Sequence, residues 1–220
     1  MTLDRALGRR GLRREEFCRE GDAVARRLLE EYGALFVASA AVAVPPVCVF
    51  SSREEVLKFQ EAATWRAETL DGITIELQPA AMDTLLAARD EARREGLNVT
   101  PRGGAEAARR GFDDTLRLWD SRFLPALDYW CAPERGRLST EQVETLRSLA
   151  PMRQVAEVLE LEKRGIFFSK DFSKTILQSV AAPGASQHLS MLAFDVAEFM
   201  NPAVRRVLAR HGWFQTVESD

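Results

Sequence analysis

The alternation of apolar and polar positions divides the chain into helical and extended stretches. Phe17, Val24, Leu28, Leu29 and Tyr32 recur at helical spacing among charged residues, which predicts a helix over 12–32. Ala34 to Phe50 is the most apolar stretch and is broken by Pro45-Pro46. Its length is marginal for a membrane span, and it reads as a helix end followed by a buried strand at Val47 to Phe50. Ser52 with Glu55 forms the sequence signature of a capping box, opening a helix to about Ala63. Thr64 to Leu70 and Ile73 to Leu77 flank Asp71-Gly72, the strongest short hairpin signal.

A helix is expected from about Ala80 to Glu95, stopped by Gly96 as a C′ glycine. Leu97 to Thr100 then reads as a strand and Pro101-Arg102-Gly103-Gly104 as a tight loop. A long helix is expected from Ala105 to Trp130, kinked at Pro125. Its aromatic residues Phe112, Phe123, Trp119 and Trp130 read as core rather than as a glycan groove. Two more helices open at Ser139-Thr140 and at Pro151, the second ending near Gly165. Residues 166–200 are richer in Ser, Phe and small side chains and contain the turn Ala182-Pro183-Gly184. Leu192 to Val196 and Trp213 to Val217 read as strands around a last helix from Pro202 to Gly212. Helices in the middle with strands at both ends predict an α+β fold, a small antiparallel sheet with helices packed around it.

Composition narrows the function. With a net charge of -3 and a pI near 5.6, bulk charge does not suit nucleic-acid binding. Only four of the 30 basic residues are lysine, and most arginines are interleaved with Asp and Glu as on solvated helix faces. Cys18, Cys48 and Cys131 are odd in number and carry no C-x-x-C, so they read as buried thiols rather than a disulfide framework. Met1 to Glu20 is charged throughout and has no signal-peptide core, so an export signal, if the protein works outside the cytoplasm, is expected upstream. With two histidines, His188 and His211, a three-histidine metal site is excluded.

The most informative stretch is Gly184 to Val196, where His188 follows a turn and Asp195 lies seven residues on at the edge of the expected strand. Neutral imidazole and carboxylate suit a divalent metal, zinc above all. Ser186, His188, Ala193 and Asp195 resemble the Ser-x-His-x-x-Gly-x-Ala-x-Asp signature of the M15 family of zinc peptidases, the D-alanyl-D-alanine carboxypeptidases and dipeptidases of VanY and VanX type. Met191 stands where that pattern has glycine. Arg102, in Val99 to Gly104, resembles the family's arginine at a strand end, although Pro101 replaces the tyrosine before it. His211-Gly212-Trp213-Phe214 resembles the strand that leads to the family's third zinc ligand, a histidine preceded by an acidic general base.

The resemblance implies an M15-like peptidase core over 97–220 with a helical and β-hairpin extension over 1–96. It implies zinc held by His188 and Asp195, with the third ligand just beyond Asp220 and Asp220 or Glu218 as the acidic base. It also implies Arg102 at the developing oxyanion and Ser186 at the terminal carboxylate of the substrate. The substrate would be the D-Ala-D-Ala end of peptidoglycan stem peptides, cut outside the cytoplasm. Two other outcomes stay open: a non-catalytic cell-wall-binding or structural module of the same fold, and an L-Ala-D-Glu peptidase of endolysin type. His211, at a helix end, is read as structural through the helix dipole, with a substitute-ligand role as the alternative.

Overall fold

The structure is a computed structural model that describes residues 3–14, 18, 22–39 and 41–216. It is an α+β fold. Among the described residues, α1 (Leu3–Arg9), α2 (Ala23–Tyr32) and α3 (Arg53–Ala63) precede the strands β1 (Arg66–Leu70) and β2 (Ile73–Leu77). Then follow α4 (Pro79–Arg94), α5 (Phe112–Cys131), α6 (Thr140–Ser148), α7 (Pro151–Lys163) and α8 (Pro202–Arg210).

The hairpin forms where its sequence predicts. β1 and β2 pair antiparallel with Leu70 opposite Ile73. Asp71 and Gly72 both take positive φ, 52° and 83°, as a two-residue type I′ turn requires. Helix starts also follow their caps. Ser52 Oγ accepts from the Glu55 amide, and Ser139 and Gln142 cap each other reciprocally. Proline leads α4, α7 and α8, where its missing N–H costs no intrahelical bond.

Four expectations need correction. Of the helix predicted over 12–32, Ala23–Tyr32 forms α2, capped by Asp22, whose carboxylate accepts from the Ala25 amide at 2.8 Å; Arg14 is also helical, and Phe17 lies outside the described residues. The long helix begins at Phe112, not Ala105. The Gly111 amide donates to Asp114, and the 104–110 backbone is spent instead on contacts with 188–195. The expected strands at 97–100 and 192–196 reduce to one antiparallel bridge, Pro101 with Val196. Proline cannot donate to a ladder, and Gly103 and Gly104 turn the chain away with positive φ. Val47 to Phe50 and Trp213 to Thr216 are likewise irregular, and Val217 lies outside the described residues.

The cysteines are corrected too. Cys18 and Cys48 are disulfide-bonded with Cα atoms 5.3 Å apart, and Cys131 is free.

Two apolar clusters carry most of the core. One gathers Trp119, Phe123 and Leu127 of α5 with Val155, Val158, Phe168 and Ile176. Trp119 and Phe123 are buried, as the sequence pattern expects. The other joins Ile75 and Leu77 to Met82 and Leu85, and to Val99, Val196, Val204 and Val207, so it draws on residues from both sides of position 96. A smaller cluster seats Leu189 against Phe50, Val56 and Phe59. Leu189 follows His188, so the candidate site hangs from buried packing rather than from a free loop.

Candidate functional site

His188 sits in a short 3-10 turn, Gln187–Ser190, and is buried. The turn is fixed on every side. Ser186 Oγ accepts from the His188 amide at 3.4 Å, and the buried Gln60 donates to the Leu189 carbonyl. Gln78, also buried, donates to the Ser190 carbonyl. Gly184 lets the chain enter: a Cβ there would meet the Phe50 carbonyl oxygen at 1.9 Å, and its φ is +77°.

The turn ends at Met191 in the left-handed region, φ 54° and ψ 36°. Glycine enters that region at no steric cost, whereas an L side chain is strained there. The resembled signature has glycine at this position, where this chain has methionine. The Met191 side chain is fully buried.

The imidazole is oriented from behind. His188 Nδ1 lies 2.7 Å from the Ala108 carbonyl oxygen, so Nδ1–H donates there and Nε2 is the nitrogen turned to the site. Nε2 faces Asp195 Oδ1 at 3.5 Å. Asp195 is placed by its own backbone: its amide donates to the Ala107 carbonyl, and its carbonyl accepts from the Arg102 amide. Its other oxygen, Oδ2, accepts from Arg110. Burial pushes the Asp195 carboxyl up, but His188 and Arg110 outweigh it and hold the group below its ordinary value.

This donor set fits a metal as far as it goes. Zinc ligands at about 2.0–2.1 Å in a tetrahedron lie roughly 3.3 Å from each other, close to the 3.5 Å between Nε2 and Oδ1. A carbonyl behind the imidazole and a cation on the second carboxylate oxygen are the outer partners such ligands take. Among the described residues, no third His, Cys, Asp or Glu joins them. Glu218 and Asp220, the expected acidic bases, lie outside the described residues.

Of the other expected residues, Ser186 and Arg102 line one cavity of about 1270 Å³ together with His188 and Asp195. The Arg102 guanidinium lies 4.6 Å from the Phe199 ring centroid and has no carboxylate partner among the described residues. His211 also lines that cavity, but its Nε2 is engaged by Glu91, which Arg210 contacts as well. Its structural reading therefore has a concrete partner.

No family model matches the chain, and no curated protein or solved structure is significantly similar to it.

Sequence reasoning missed Arg110. One arginine among many carries no spacing signal, and only folding brings it from the end of the 104–110 loop to Asp195. Its Nε is buried without a partner among the described residues.

Proposed function

We propose that the chain is a zinc-dependent D,D-carboxypeptidase that removes the terminal D-Ala from peptidoglycan stem peptides. The observation that carries the reading is the convergence of His188 Nε2 and Asp195 Oδ1 at 3.5 Å on the wall of a roomy cavity. The Ala108 carbonyl fixes the histidine tautomer that leaves Nε2 free for a metal.

His188 and Asp195 would hold the metal. Bound zinc supplies a Lewis acid and a water acidified towards a pKa of about 7. Arg102 presents a planar fork of donors to the scissile carbonyl or to the substrate carboxylate, and a fixed cation beside developing negative charge is a large catalytic factor. The Ser186 hydroxyl accepts from the His188 amide and keeps its own proton to donate to a carboxylate. The proton acceptor is assigned by resemblance to Asp220 or Glu218. The Cys18–Cys48 disulfide supports a periplasmic or other extracytoplasmic setting, where such bonds persist.

One observation favours a second reading, a non-catalytic cell-wall-binding module. Arg110 already neutralises Asp195, and two donors alone hold zinc weakly.

The test is incubation of the chain, with zinc added, with a stem pentapeptide ending in D-Ala-D-Ala. Release of free D-Ala is expected. Cleavage between L-Ala and D-Glu instead identifies the endolysin-type activity. Peptide binding without cleavage identifies the binding module.

A further inference from the structure

The cavity that holds His188 and Asp195 is also lined by the N-terminal part of the chain, including Ala34, Val37, Ala38 and Val42. This segment is held in one shape. Arg10, just beyond α1, donates through Nε to the Phe36 carbonyl and through Nη1 to the Val42 carbonyl. Its Nη2 donates to the carbonyls of Ala38 and Ser39 at 2.8 and 2.7 Å. One guanidinium thus satisfies four carbonyls of a segment that begins as the 3-10 helix Gly33–Val37 and continues irregularly.

Both ends of the segment are tied to the histidine turn. Gln187, next to His188, donates to the Tyr32 carbonyl at 3.1 Å. At the other end, Gln78 bonds both the amide and the carbonyl of Ala43 while donating to Ser190. Tyr32 Oη donates to the Leu177 carbonyl, and the Phe50 amide donates to the Gly184 carbonyl. The Cys18–Cys48 disulfide closes a ring that contains the segment itself.

The surface chemistry of this wall is apolar. Val37 is 45% exposed, and between Gly33 and Ser39 no side chain is charged. On the same cavity, the Arg102 guanidinium has no carboxylate partner among the described residues. A ligand complementary to both has small apolar side chains and a free terminal carboxylate.

We propose that residues 34–39 together with Val42 form the specificity-determining wall of the cavity, packing against the small side chains of a peptide whose terminal carboxylate meets Arg102. This rests on the carboxypeptidase reading and adds to it a role for the N-terminal segment. The wall is preorganised, since Arg10 and the two glutamine ties hold it before any ligand arrives.

Hydrogen–deuterium exchange of the full chain, with and without diacetyl-L-Lys-D-Ala-D-Ala, tests this directly. Slowed exchange is expected both at the wall, 34–39 with Val42, and at 186–195. Slowing at 186–195 alone overturns the wall and leaves the carboxypeptidase reading standing. Slowing at neither overturns both. Val37→Asp, at an exposed position, is expected to weaken binding of the same peptide at least tenfold with an unchanged melting temperature. Unchanged affinity overturns the proposal.

Discussion

Arg110 donates to Asp195 Oδ2 while the Oδ1 of the same carboxylate faces His188 at 3.5 Å. One carboxylate therefore faces a permanent cation on one side and the histidine Nε2 on the other. Arg110 is largely buried and Asp195 half-buried, so neither charge is well compensated by water. Arg110→Met leaves Asp195 with one partner fewer. It is expected to cost about 1–3 kcal/mol of stability in the metal-free protein. Denaturant unfolding measures it, and a change near zero would mean that the ion pair is only incidental.

Met191 sets two effects against each other. Met191→Gly relieves a left-handed residue, worth about 1–2 kcal/mol. It also deletes a fully buried side chain, a loss of about 2–5 kcal/mol for Met→Ala in a core. The second is larger, so the variant is expected to be less stable despite restoring the glycine of the resembled signature. A gain in melting temperature would show that backbone strain dominates here.

Gly184→Ala places a Cβ against the backbone of Phe50 at a positive φ. Backbone cannot rotate away as a flexible side chain can. A loss of at least about 3 kcal/mol is expected from clash and left-handed strain together. It is read from the unfolding midpoint in urea. The entry to the histidine turn shifts with it, so zinc affinity should fall in the same variant.

Glu162 makes stability depend on pH. Burial raises its carboxyl above the ordinary value, only partly offset by hydrogen bonds from Thr175, Ile176 and Phe168. A carboxyl with a raised folded value binds its proton more tightly in the folded state. Its contribution is therefore fully present below the unfolded value, about 4.3, and declines as pH rises to the folded one. Glu162→Gln is expected to remove that decline while lowering stability by about 1–3 kcal/mol through lost acceptor capacity. Unfolding free energies of both proteins across that interval check the slope.

What could be read from the sequence was local. Asp71-Gly72, Ser52, Ser139 and the helix-leading prolines act within a few residues of themselves, and each works in the fold as its chemistry dictates. His188 and Asp195 were legible because they share one short motif. The remainder depends on contacts between distant segments. Arg110 gains meaning only opposite Asp195, and Cys18 finds Cys48 across α2. The apolar runs at 97–100 and 192–196 look like strands, but Pro101 limits their pairing to a single bridge. The N-terminal wall was invisible for the same reason, since Arg10 and Gln78 organise it from outside.

The central claim is that His188 and Asp195 bind one metal ion. Zinc affinity measured by competition with a chromophoric chelator, for the chain and for His188→Ala and Asp195→Ala, tests it most directly. One zinc per chain is expected, with affinity at least tenfold lower in each variant. No bound zinc, or unchanged affinity in either variant, would contradict the account.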